Sequence, residues 1–330
     1  MRKTHLIAFV LTLALGLTLA GCGQPSVTQV VQQLQNVQSN LTSYKTTAYM
    51  TVHLPGSIEK YYVETWFQAP DRYRIALGNE NKEISQIILH NARGIYIISP
   101  NTKKVIKFQG DWAEKQGQLY LYHTLLSKIV ATDNPVYSNR ENLVTFTMAG
   151  DPQIPLVNAQ KIVLDSSTYA PKQVILLDRE KQPIITVDYL SYQKGVTFAP
   201  NAFSPEQTTT LQPVEMPVSA GEQAFGVIEP TWVPGNDSIL DETEQNGSIF
   251  VRYEGSSPFT LIENRPTSNA IDVGQGSMVT LYAIPAVLTK SGSLNQLYWI
   301  NGGVEFTMMT RMPTSDLIRV AASTIESMGK

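Results

Sequence analysis

One thiol, four imidazoles and a scatter of carboxylates make up the reactive inventory of this 330-residue chain. The histidines His5, His53, His90 and His123 are scattered, none within metal-ligand spacing of another, and no His-Glu-x-x-His helix exists. No Gly-x-Ser-x-Gly elbow is present, and no Ser-x-x-Lys signature with its partner motifs. Gly274-Gln275-Gly276 lacks the third glycine and the following helix of a phosphate loop, so it reads as a turn before a strand at Met278. Asp237, Asp241, Glu242 and Glu244 cluster without calcium-loop spacing and read as a solvated loop. The pattern gives catalysis no positive support: no enzyme activity, cofactor or metal site is expected.

That leaves Cys22, the one cysteine. Arg2 and Lys3 form a charged start, Leu6 to Ala20 is an apolar run, and Leu19-Ala20-Gly21-Cys22 closes it with small residues before the thiol. This layout predicts a secretory signal over residues 1–21, cut between Gly21 and Cys22. The run is slightly short for a membrane span, which needs about 20 apolar residues. The tetrapeptide resembles the bacterial lipobox, which implies that Cys22 is diacylated through its sulfur and becomes the new N-terminus. A cleaved signal that happens to contain a cysteine and an uncleaved anchor are the competing readings. Lipidation accounts for a lone exported thiol, which otherwise calls for a partner. Two acyl chains, at about 0.8 kcal/mol per buried methylene, suffice for stable anchoring. The expected location is the outer face of the cytoplasmic membrane.

Removing residues 1–21 takes away Arg2 and Lys3 and leaves 23 basic against 28 acidic side chains. No basic stripe for nucleic acid and no polybasic patch for anionic lipid results. The apolar content of 42% is ample for real cores, and with one cysteine no disulfide within the chain holds them. Charged residues are few at 16%, which suits an exported, β-rich protein with an uncharged polar surface.

The elements follow from periodicity. Residues 22–25 form a short lipidated tether, and Ser26 is a plausible N-cap for a helix from Val27 to about Leu41, with Val27, Val30, Val31, Leu34, Val37 and Leu41 at helical spacing. From Tyr44 the period changes to two: Tyr44, Thr46, Ala48, Met50, Val52 and Leu54 share a face. Strand-like runs continue at Ile58–Gln68, around Tyr73–Leu77, and at Glu83–His90, Gly94–Ile98 and Lys104–Phe108, the spacing of an antiparallel meander. Asp111 or Trp112 opens a more helical stretch to about Ile129, after which strands resume between Asn142 and Tyr192. Residues 204–220 have the Pro/Thr-rich composition of a linker. From 221 to 330 a small α+β domain is expected, with strands near Ser248–Tyr253, Phe259–Glu263, Met278–Ile284, Leu297–Ile300 and Val304–Met309 and a final helix at Ser315–Ser327.

The order of elements resembles the LolA/LolB-like superfamily of lipoprotein carriers and its relatives among Gram-positive sporulation and germination lipoproteins. The helix running into Tyr44-Lys45-Thr46, the phrase Trp66-Phe67-Gln68-Ala69-Pro70-Asp71-Arg72-Tyr73-Arg74, the Gly94–Ile106 hairpin and Phe198-Ala199-Pro200-Asn201-Ala202-Phe203 carry the resemblance over residues 26–203. Trp232-Val233-Pro234, Trp299-Ile300-Asn301-Gly302 and Ala321-Ala322-Ser323 resemble a domain of unknown function from Gram-positive surface and sporulation lipoproteins. The resemblance implies a mainly β (α+β) fold: a curved antiparallel sheet, an incomplete barrel, with helices over its concave face and an apolar cavity between them. Ala48, Met50, Val52 and Leu54, with Ile58 and Tyr62 from the next strand, are the candidate cavity lining; a filled core is the other reading for each. Two functions follow. One is a membrane-anchored lipoprotein binding lipid or an acylated protein in that cavity, in envelope processes of sporulation or germination. The other is a protein-interaction scaffold with no ligand cavity. An envelope-modifying enzyme is a distant third.

Overall fold

A computed structural model describes residues 25–110, 119–150, 157–209 and 226–328. The expected signal, Gly21 and Cys22, the opening of the expected helix at Asp111, and residues 210–220 of the expected linker lie outside the described residues.

Ser26 caps helix α1 (Val27–Ser39). Its hydroxyl accepts from the Gln29 amide at 3.3 Å while the Gln29 side chain accepts from the Ser26 amide at 2.9 Å. Two of the amides that a helix start leaves open are thereby satisfied. Val30 and Leu34, one turn apart, are its fully buried pair. The helix ends two residues earlier than its apolar spacing predicts, where the Asn40 amide turns back to Asn36 O at 3.2 Å.

Strands β1 (Ser43–Leu54), β2 (Ser57–Gln68), β3 (Arg72–Gly78), β4 (Ile84–Asn91), β5 (Gly94–Ser99) and β6 (Lys104–Gln109) form the expected meander. The chain crosses to the far edge through α2 (Tyr122–Ala131). It then returns as β7 (Val136–Arg140), β8 (Leu143–Ala149), β9 (Ala159–Asp165), β10 (Pro171–Leu177) and β11 (Pro183–Lys194), until β11 pairs with β1. No hairpin can join two opposite edges, so the connection must run over one face, and α2 does so. The sheet is curved and open, not closed into a barrel. A five-residue helix, α3 (Pro205–Thr209), lies against β5 on the opposite face. It is held there by Asn91 donating to Phe203 O at 2.8 Å and by Arg93 paired with Glu206 at 3.0 Å.

The second region forms a seven-stranded antiparallel sheet from β12 (Ser238–Gln245), β13 (Ser248–Glu254), β14 (Phe259–Asn264), β16 (Ser277–Leu281), β17 (Ile284–Ser291), β18 (Leu294–Asn301) and β19 (Val304–Thr310). Helix α4 (Thr314–Met328) lies across it with Leu317, Val320, Ala321 and Ile325 buried. The Gly302-Gly303 turn has φ of +55° and +78° at its two central positions, which glycine adopts without steric cost.

Three departures from the sequence reading have physical causes. The acidic stretch read as a loop is strand β12, where Arg252 neutralises Asp241 across the ladder through two bonds of 2.6 and 2.7 Å. The expected strand Met278–Ile284 is the end of one hairpin arm and the start of another. Leu281 pairs with Ile284 around Tyr282-Ala283, a turn hidden because it carries neither Gly nor Pro. The segment before Gly276 is strand β15 (Ala270–Gln275), and it joins the large sheet, parallel to β6.

Candidate functional site

The inner face of the large sheet is where the sequence predicts a ligand. On β1 it presents Tyr44, Thr46, Ala48, Met50, Val52 and Leu54, all buried. Ala48, Met50 and Val52 retain 2%, 0% and 1% of their surface. Ile58 and Tyr62 do not share that wall. The hairpin closes on Leu54↔Ser57, which sets even-numbered residues of β1 opposite odd-numbered residues of β2. Directly opposed residues lie on one face, so Glu59, Tyr61, Val63, Thr65 and Phe67 continue the inner wall. Ile58 faces the other side and is 67% exposed, while Tyr62 lies beside Tyr49 and Lys82 on that outer face. The two-residue Pro55-Gly56 turn was the signal for this parity.

Two covers close the inner face. The first is α2 with α1 behind it. Tyr44 stacks on Phe67 at 5.1 Å, His123 of α2 stacks on Phe67 at 4.0 Å, and the Tyr44 hydroxyl meets His123 Nδ1 at 3.2 Å. Tyr122 sets its ring edge-on to Tyr44 and Tyr192 and donates to Tyr169 O at 2.5 Å. Tyr169 in turn donates to the Gln33 side chain of α1, and Gln38 donates to Ser127 at 2.7 Å. Burial holds His123 down to about 4, so its imidazole is neutral, and pushes the Tyr44, Tyr122 and Tyr189 hydroxyls up.

A bulge arranges this cluster. The β1–β11 register slips between Thr47 and Ala48, leaving Leu190 as an extra residue, so that Tyr189 and Tyr192 both face inward. Simple alternation would put them on opposite faces. Leu190 is left 55% exposed. Tyr61, Tyr189 and Tyr192 remain half-buried on this face, and the Tyr189 hydroxyl is buried without a hydrogen-bond partner among the described residues.

The second cover is the C-terminal unit, seated over β4 to β6. Gln86 donates to Ile300 O at 2.5 Å and Tyr120 to Ala283 O at 3.2 Å. Lys104 and Glu305 pair at 2.9 Å, with side chains only 4% and 12% exposed. Strand β15 fastens the same unit along the sheet edge. Val105 donates to Asn269 O at 3.0 Å, Gly276 to Gln109 O at 2.9 Å, and Lys107 pairs with Asp272 at 2.7 Å. Gly110 permits this approach, because a Cβ there would sit 1.9 Å from Gly276 O. Within the unit, Glu263 is fully buried on the sheet face that α4 covers. It accepts the Ile228 amide at 3.1 and 3.3 Å, and burial, with the Glu242 charge adding, pushes its carboxyl up to about 7.

The outer face is polar where β1 to β3 meet. Glu64 bridges Lys45 at 2.8 Å and Arg74 at 3.2 Å, and both cations lie over Trp66, which stacks on Phe198. Trp66 and Arg74, the two ends of that phrase, thus join a structural cluster in which Lys45 and Arg74 both pair with Glu64. Among the described residues no group of three or more His, Cys, Asp or Glu side chains could hold a metal, and no helix is long and apolar enough to cross a membrane.

Sporulation protein YdcC of Bacillus subtilis (strain 168) is 27% identical over 332 residues, covering 98% of this chain and 97% of that relative. Among solved structures, a chain of the Pseudomonas aeruginosa MucA/MucB complex is similar at 14% identity and a TM-score of 0.32, covering 89% of this chain and 97% of its own. LolA superfamily protein NE2245 from Nitrosomonas europaea is similar at 8% identity and a TM-score of 0.31, covering 56% and 99%. The YdcC-like sporulation protein family matches residues 2–203, well over half of the chain. With α1, α2 and eleven of the twelve strands of the large sheet falling inside that span, the chain belongs to the YdcC-like sporulation protein family.

Proposed function

We propose that this chain is a non-enzymatic lipoprotein of the cell envelope that acts in sporulation by binding another protein, its large sheet serving as a closed platform. Membership of a sporulation family supports the setting. One observation carries the choice of platform over pocket: the wall of β1 from Ala48 to Leu54 is buried within the chain's own hydrophobic core. An acyl chain would have to displace that packing, and each large apolar side chain uncovered costs about 1.5–3 kcal/mol. In this reading Cys22 is the lipid anchor, which holds the platform at the outer face of the cytoplasmic membrane.

A second reading, a carrier of lipid or of an acylated partner, is favoured by Tyr61, Tyr189 and Tyr192, which stay half-buried on the inner face, and by the unpartnered Tyr189 hydroxyl. Native mass spectrometry of residues 23–330 separates the two. The platform reading expects a clean apo mass and no uptake of a fluorescent fatty acid; a co-purified lipid favours the carrier. In the producing cell, Cys22→Ala should move the protein from the membrane to the soluble fraction, and unchanged retention would remove the anchor.

A further inference from the structure

The second sheet carries an open groove of about 480 Å³ at the end where β13 stops, β14 begins and β19 runs on toward α4. Glu305, which docks on the large sheet, stands near one end of β19, whereas Met309 and Arg311 lie at the other. At about 3.4 Å per residue Met309 is roughly 14 Å along the strand from that docking contact, and Arg311 lies beyond it. It therefore remains reachable in the assembled chain.

Its lining is unusual in composition. Leu240, Met309 and Met312 supply apolar wall, and the Tyr253–Phe259 pair, stacked at 4.2 Å, closes one side. Leu240 is the extra residue of a bulge between Ile239 and Asp241, which turns it outward and leaves it 54% exposed. Two arginines line the groove, with no Asp, Glu or Lys. Arg252 is already engaged by Asp241, whereas Arg311 is exposed and has no ion pair among the described residues.

Methionine, aromatic rings and arginine without lysine or carboxylate are the composition of a protein-interface centre. Small-molecule sites enclose most of their ligand, which an open groove does not. We propose that this groove docks an acidic segment of a protein partner, with an apolar side chain on Leu240 and Met309 and a neighbouring carboxylate on Arg311. The proposal rests on the reading of the chain as a protein-binding module and places a contact on the C-terminal unit that the large sheet carries.

The test uses the full chain carrying Cys22→Ala with two fluorescein-labelled peptides, Glu-Leu-Glu-Phe-Glu and Lys-Leu-Lys-Phe-Lys. Binding is read by anisotropy, and the site by protection of Met309 from oxidation. The acidic peptide should bind about tenfold or more tighter than the basic one and protect Met309, since a charge-assisted contact is worth about that factor. Arg311→Glu should cost the acidic peptide about tenfold and favour the basic one. Arg93→Glu, on the large sheet, should leave both affinities unchanged. Equal binding of the two peptides, an unchanged affinity in Arg311→Glu, or protection of Met309 by dodecanoate but not by the acidic peptide would overturn the proposal. Lipid found on the large sheet would overturn the platform reading instead and leave these readouts as they are.

Discussion

The two covers over the inner face of the large sheet are built from different materials. Toward β1, β2 and β9 to β11 the cover is α2, with α1 behind it, and the contacts are apolar side chains, tyrosine hydroxyls and a neutral His123. Over β4 to β6 the cover is a distant part of the chain, fastened by a buried ion pair and a parallel strand. The first cover carries one charge toward the sheet, Lys128 of α2, which donates to Gln160 of β9 at 2.5 Å, and is otherwise apolar or neutral. The second depends on Lys104 and Glu305 staying matched in a site where neither reaches water freely. The difference teaches that the helical cover is seated by apolar packing with neutral hydrogen bonds, whereas the C-terminal cover adds a buried ion pair and a strand-edge ladder.

The largest effect that would break this contrast is loss of one ion-pair partner. Glu305→Ala should destabilise the chain by about 3–5 kcal/mol, because it strands a buried ammonium. The double variant Lys104→Met, Glu305→Met should recover most of that loss. Urea denaturation of the single and double variants is the measurement, and a single variant within about 1 kcal/mol of the parent would show that the pair does not seat the C-terminal unit.

Proton linkage sharpens the contrast at intermediate size. His123 has a folded value of about 4, below the ordinary 6.5. Its contribution is complete above pH 6.5 and is lost as pH falls through that window toward 4, by about 2–3 kcal/mol. Glu263 behaves in the opposite sense, its folded value of about 7 lying above the ordinary 4.5. Its neutral form is favoured on folding, so stability is greatest below pH 4.5 and declines as pH rises to 7, by roughly 1–3 kcal/mol. Acidification from pH 7 to 5 should therefore lower hydrogen-exchange protection factors in α2 and raise them around β14. Glu263→Gln should abolish only the second response, and parallel responses in both units would refute the opposition.

The smallest effect tests the face assignment. Ile58→Lys should change stability by no more than about 0.5 kcal/mol, as expected for an exposed outer-face residue. A loss of several kcal/mol in thermal or urea unfolding would put Ile58 back in the buried wall.

Much of the large sheet was legible in the residues. Tyr44 to Leu54 alternate so regularly that one face had to be buried, and Ser26 announced the start of α1. The parity of β2 was also readable, since a two-residue turn after Leu54 fixes which residues oppose, but it required counting across the hairpin and not along the strand. Strand β12 was disguised because Asp241, Glu242 and Glu244 are poor strand formers, and only Arg252 on the neighbouring strand offsets Asp241. The bulge at Leu190 left no local trace, because an extra residue is defined by the partner strand it fails to match.

By itself the sequence determined the local elements, their apolar faces and the absence of any recognisable catalytic pattern, because those depend on residue type and spacing within a few positions. It also carries the Cys22 motif, which is read from neighbours alone. Only the tertiary structure decided that Ala48 to Leu54 are buried while Ile58 is exposed, that Lys104 finds Glu305, and that β15 leaves its neighbours to pair with β6. Those contacts join residues separated by more than 160 positions. No periodicity along the chain encodes them; they exist because two surfaces formed separately happen to match in shape, hydrogen-bonding edge and charge.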